Sequence, residues 1–117
     1  MSPEDLAYIT GRVDATDYEP MMIDGERIGE GDWLRTEGSH GNEHEACIWR
    51  TEAPATYEYL FTGDESFVVL EGSVSIELPD SGETVELKAG DTASFDKGTQ
   101  SVWNFSEPFK KFTVISA

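Results

Sequence analysis

The chain is short of four things, and each shortage excludes a class of function. It has one cysteine, Cys47, in 117 residues, which leaves no internal disulfide framework and no cysteine-rich zinc site. It has 8 Lys and Arg against 24 Asp and Glu, a net charge of −16 with a pI near 4.2. A phosphate backbone needs Lys and Arg to neutralise it, so nucleic acid is excluded as a partner. An anionic membrane surface is excluded for the same reason. No apolar run reaches the roughly 18 residues of a membrane span. Met1–Asp5 has neither the basic region nor the apolar stretch of a signal peptide, so a cytoplasmic protein is expected. No Gly-x-Ser-x-Gly elbow or phosphate-binding glycine loop occurs. Gly25–Gly31 is glycine-rich but acidic, which repels phosphate.

What is present argues for a folded domain. Hydrophobic residues make up 38% and aromatics 11%, including three Trp, well above what disordered acidic chains carry. The length fits one domain able to bury roughly two-thirds of its unfolded surface. Residues 1–45 hold 12 acidic and 3 basic residues and are weakly patterned, with Gly25, Gly29, Gly31, Gly38 and Gly41 breaking any helix. They read as an arm with one or two short strands lying on the main body, and Pro3 before an acidic turn predicts a short helix over Glu4–Ile9. From Ala46 the texture changes to short β-branched and aromatic runs between turn signals. The runs are Ala46–Thr51, Thr56–Phe61, Glu65–Leu70, Ser73–Leu78, Thr84–Leu87, Thr92–Phe95, Ser101–Phe105 and Lys111–Ser116. Eight strands at this spacing predict an all-β sandwich or barrel.

Two patches carry a resemblance. Glu65 is followed by six residues and then Gly72, ending in Val69-Leu70-Glu71-Gly72, and Gly90-Asp91 opens a second patch whose turn is Lys97-Gly98. These resemble the two motifs of the cupin superfamily. Trp49, Pro54, the Tyr57/Tyr59/Phe61 alternation, Trp103 and the ending Glu107–Phe112 look like the small cupins grouped with the ureidoglycine aminohydrolase and ethanolamine-utilisation cupins. The resemblance covers residues 44–117. It implies an all-β cupin jelly-roll barrel (a double-stranded β-helix), with residues 1–43 as an N-terminal arm that packs on the barrel or is exchanged between subunits. A homodimer is expected on that basis. The usual three-His, one-Glu metal set is not matched: the His-x-His positions fall on Glu58 and Leu60 or on Tyr59 and Phe61, and the third falls on Ser101. Only Glu65 remains, and a lone carboxylate does not hold a transition metal. No metal and no other cofactor is expected.

The candidate site follows from strand parity. Glu65, Phe67 and Val69 share one face; if it is the barrel interior, burial would raise the Glu65 pKa and make it a candidate catalytic acid or base or a ligand acceptor. The alternative is a structural acid hydrogen-bonded to a Tyr or Ser. Trp49, Tyr59, Phe61 and Trp103 are candidate pocket walls, or plain core, and Ser101 is a candidate donor to a ligand. His40 and His44, with Glu43 and Glu45, form a loose cluster best read as a solvated loop. Lys110-Lys111 reads as the exposed side of the last strand, where Lys discourages edge pairing. The expected function is small-metabolite binding in a barrel without the three-His metal. The alternatives are an enzyme acting on a small polar metabolite, with Glu65 as acid or base, and a structural module with a filled barrel.

Overall fold

The computed structural model describes residues 7–14 and 17–117. Among the described residues ten strands form, all paired antiparallel: β1 (Glu19–Ile23), β2 (Glu26–Arg35), β3 (His44–Thr51), β4 (Ala55–Leu60), β5 (Asp64–Glu71), β6 (Ser73–Leu78), β7 (Glu83–Lys88), β8 (Thr92–Phe95), β9 (Gln100–Phe105) and β10 (Phe109–Ser116). Among the described residues there is no helix, so none is long and apolar enough to cross a membrane. Residues 4–6 of the helix expected over Glu4–Ile9 lie outside the described residues, and 7–14 form neither helix nor strand. Each of the eight expected strands is present within two residues of its anticipated ends.

The strands make a six-stranded sheet, β1-β2-β3-β10-β5-β8, facing a four-stranded sheet, β4-β9-β6-β7. Strands β3 to β10, ordered 3-10-5-8 against 4-9-6-7, trace the two Greek keys of a jelly roll. The inner faces meet in one aromatic core. Phe61 stacks on Phe95 with centroids 4.8 Å apart, Phe95 lies parallel to Phe67 at 6.1 Å, and Trp103 leans on Phe67 at 5.5 Å. Gly72, between β5 and β6, has φ 79°, and a Cβ there would collide with the Pro108 carbonyl. Only glycine fits that close crossing.

The N-terminal region does more than lie on the surface. Asp24 and Gly25 both have positive φ, 51° and 82°. This is the two-residue turn whose twist suits a hairpin. It joins β1 to β2, and β2 extends the larger sheet by pairing with β3. Ile28 on β2 reaches the core.

Lys110-Lys111 does not mark an exposed edge. β10 lies between β3 and β5, hydrogen-bonded on both sides. Neighbouring residues of a strand face opposite sides, so the two lysines part company. Lys110 points outward to Glu71 at 2.9 Å, whereas Lys111 points into the barrel, 6% exposed.

Candidate functional site

Register across the larger sheet builds the inward surface row by row. One row carries Glu45, Ile115, Glu65 and Phe95 on β3, β10, β5 and β8. The next carries Trp33, Cys47, Thr113, Phe67 and Ala93, and the one beyond it Trp49, Lys111 and Val69. Strand alternation in the short apolar runs puts these side chains on one face.

Glu65 is the buried acid of this face, 1% exposed. Three groups donate to it: Tyr59 Oη to Oε1 at 2.8 Å, and Lys111 Nζ and Thr113 Oγ1 to Oε2 at 2.6 and 2.7 Å. Burial alone would raise its pKa, but the Lys111 charge and the donated hydrogen bonds from Lys111, Thr113 and Tyr59 outweigh it. The carboxyl therefore sits below its ordinary value, contrary to the upward shift expected from burial. Tyr59 moves the other way: burial and the adjacent Glu65 charge raise its pKa, so it stays a donor. Burial also pushes the Cys47 thiol up to about 12 against the opposing Lys111 charge. The Lys111 ammonium rests among rings, with Nζ 4.6 Å from Trp103, 4.7 Å from Phe67 and 5.4 Å from Trp49.

A cavity of about 80 Å³ adjoins this cluster, with Lys111, Thr113, Glu65 and Glu45 as its polar lining and Trp49, Tyr57, Tyr59 and Trp103 among its walls. Met21, Ile23, Ile28 and Trp33 of β1 and β2 line it from the N-terminal side. A larger depression of about 1060 Å³ lies elsewhere, where Arg27, Arg50 and Lys110 meet. Arg27 and Arg50 share Glu30, Lys110 pairs with Glu71, and Glu52 lines the depression as a third acid, so three carboxylates balance the three cations among its described lining. The cavity beside Glu65 is therefore the candidate site.

A family model for the EutQ-like cupin domain matches residues 38–112. The chain belongs to the EutQ-like cupin domain family. Solved structures similar to this cupin include a DUF861 family protein from Thermotoga maritima, 29% identical over 56% of this chain and 73% of that one, with a TM-score of 0.53. The EutQ protein of Clostridium difficile is 15% identical, covering 80% and 71%, with a TM-score of 0.66. The polyketide cyclase RemF from Streptomyces resistomycificus is 18% identical, covering 92% and 80%, with a TM-score of 0.71. No curated protein matches the chain in sequence.

Of the residues anticipated for this cupin's pocket, Trp49, Tyr59, Glu65 and Trp103 line the cavity together. Phe61 does not: it is 1% exposed and packed between Tyr59 and Phe95. Ser101 does not either. Its hydroxyl donates to the Tyr59 carbonyl at 2.7 Å and accepts from Trp103 Nε1 at 2.9 Å, which fixes the wall that Tyr59 and Trp103 form. His44 and Glu45 are not loop residues but open β3, and Glu45 lines the cavity, so Glu65 is not the only inward acid. Lys111, Thr113, Tyr57 and Cys47 complete the polar and aromatic lining. The Phe109, Lys111, Thr113 alternation held the signal for Lys111, since a strand with Phe and Thr inward carries that Lys inward too.

The residues do not fit the metal that most cupins hold. The inward His-x-His register falls on Tyr59 and Phe61 and the third His position on Ser101, and among the described residues no group of three His, Cys, Asp or Glu converges. Glu65, the one matching ligand, already holds a positive charge at 2.6 Å from Lys111. A dication placed beside that carboxylate would also meet the ammonium.

Proposed function

We propose that the chain is a metal-independent cupin that binds a small metabolite in the cavity beside Glu65 and Lys111. The observation that carries this reading is the buried Lys111–Glu65 pair facing a cavity walled by Trp49, Tyr57, Tyr59 and Trp103. Lys111 lines the cavity and spends one of its three donors on Glu65, which leaves two for an occupant. The cavity exceeds the about 10–15 Å³ that one water needs and falls short of the roughly 300–1,000 Å³ of drug-sized pockets. A compact metabolite fits that range.

Binding is favoured over catalysis with Glu65 as base. A base needs a pKa near the working pH, and the three donors to Glu65 hold its pKa down instead. Thermal-shift screening against small amides, acids and alcohols, on wild type and Glu65→Gln, tests the reading, with elemental analysis of protein purified without chelator. Stabilisation by at least one compound, lost in the variant, and substoichiometric metal are expected. One equivalent of Mn, Fe, Ni or Zn would overturn the metal-independent part. A screen with no stabilising compound would favour a filled structural barrel instead, the reading that the tightly packed Phe61, Phe67 and Phe95 speak for.

A further inference from the structure

The charge balance inside the cavity selects among ligands. Lys111 and Glu65 cancel within a 2.6 Å ion pair. Among the described residues, Glu45 is the remaining charged one lining the cavity. It lies in register with Ile115, across β10 from Glu65, so two strand spacings, roughly 9–10 Å, separate the two acids along the row. Its side chain is half-buried, shares the inward face with Cys47 and Trp49, and makes no hydrogen bond or ion pair with the described residues. The alternation of β3 and its place in the cavity lining put the carboxylate on the cavity side of the strand. The cavity walls include the rings of Trp33, Trp49, Tyr57, Tyr59 and Trp103, and ring faces attract cations. The molecule already uses these rings in that way, since Lys111 Nζ sits within 4.6 Å of the Trp103 ring centre. The overall charge of −16 raises the local concentration of cations and lowers that of anions.

We propose that the cavity takes a compact organic ammonium ion, its charged end against Glu45 and the aromatic walls and a carbonyl or hydroxyl acceptor at its other end against Lys111. An anion of the same size is rejected, because Glu65 has already taken the Lys111 charge and Glu45 repels it. This rests on the cavity-binding reading above and adds the ligand class.

The test is an NMR titration that follows the indole N–H signals of Trp49 and Trp103, both of which line the cavity. The probes are glycinamide (cation with a carbonyl), acetamide (carbonyl alone) and acetate (anion), at neutral pH. Glycinamide is expected to give saturable shifts, acetamide weaker ones and acetate none. Glu45→Gln removes a charged partner, which lowers glycinamide affinity by about tenfold or more. Acetamide binding should not change. Glu43→Gln, on the exposed loop before β3, removes the same overall charge and should leave glycinamide affinity as it was. Acetate binding as well as glycinamide, or a Glu45→Gln protein that binds glycinamide undiminished, overturns the ligand class while the cavity reading stands. No shift with any of the three probes overturns both.

Discussion

Replacing Lys111 by Met tests whether the ion pair is buried and matched. Met keeps most of the side-chain volume and removes the charge. The Lys111 and Glu65 side chains are 8% and 2% exposed, so water does not screen them. Removing one partner of such a pair costs about 3–5 kcal/mol, because the other charge is left uncompensated. That is a large part of the about 5–15 kcal/mol by which a domain is stable. At roughly 4 °C per kcal/mol for a domain of this size, the melting point should fall by about 12–20 °C. The pH dependence has a definite sign. In the wild type the Glu65 pKa is lowered, so its contribution is present above the ordinary carboxylate value and is lost as pH falls through the folded-state value. Without Lys111, burial dominates and the pKa moves above the ordinary value. Stability of the variant then falls as pH rises through that range. The deficit is therefore widest at neutral pH and narrows at about pH 4.5. Urea unfolding followed by Trp fluorescence at both pH values reads this out. Adding Glu65→Gln to Lys111→Met should recover part of the loss, since it removes the stranded charge. A neutral-pH cost under about 1 kcal/mol, the level of an exposed pair, or a cost that does not vary with pH would refute the reasoning.

Other predictions concern backbone, thiol and assembly. Gly72→Ala should destabilise by more than the about 1–2 kcal/mol of a left-handed residue, because its Cβ also meets the Pro108 carbonyl; an unchanged urea midpoint would contradict that crossing. Cys47, 3% exposed with its thiol raised to about 12, should react with a disulfide reagent only as fast as the protein unfolds; rapid labelling of the native protein would mean the cavity admits the reagent. We propose a homodimer, and sedimentation showing a monomer at micromolar concentration would count against it.

The strand plan was legible because it is written locally. Val74, Ile76 and Leu78 alternate with Ser75 and Glu77, and Glu71-Gly72 and Lys97-Gly98 end strands wherever the chain needs positive φ. Glu65 was legible for the same reason, since parity with Phe67 and Val69 put it inside. The Asp24-Gly25 hairpin turn was equally local, and reading its glycine only as a helix breaker missed it.

The identity of the site was not local. Whether Lys111 faces water or Glu65 depends on β10 being central rather than an edge, and that follows from pairing β10 with strands about 40 and 60 residues earlier in the chain. The direction of the Glu65 pKa shift hangs on the same fact: sequence supplied the burial, and only the fold supplied the opposing ammonium. Ser101 and Phe61 show the converse. Their types suited a pocket, but neighbours brought in from β4, β8 and β9 had already taken their hydroxyl and their ring. The sequence by itself determined an acidic, all-β barrel with Glu65 facing inward. The tertiary structure decided what that carboxylate faces, because charge pairing acts across distances that strand periodicity does not encode.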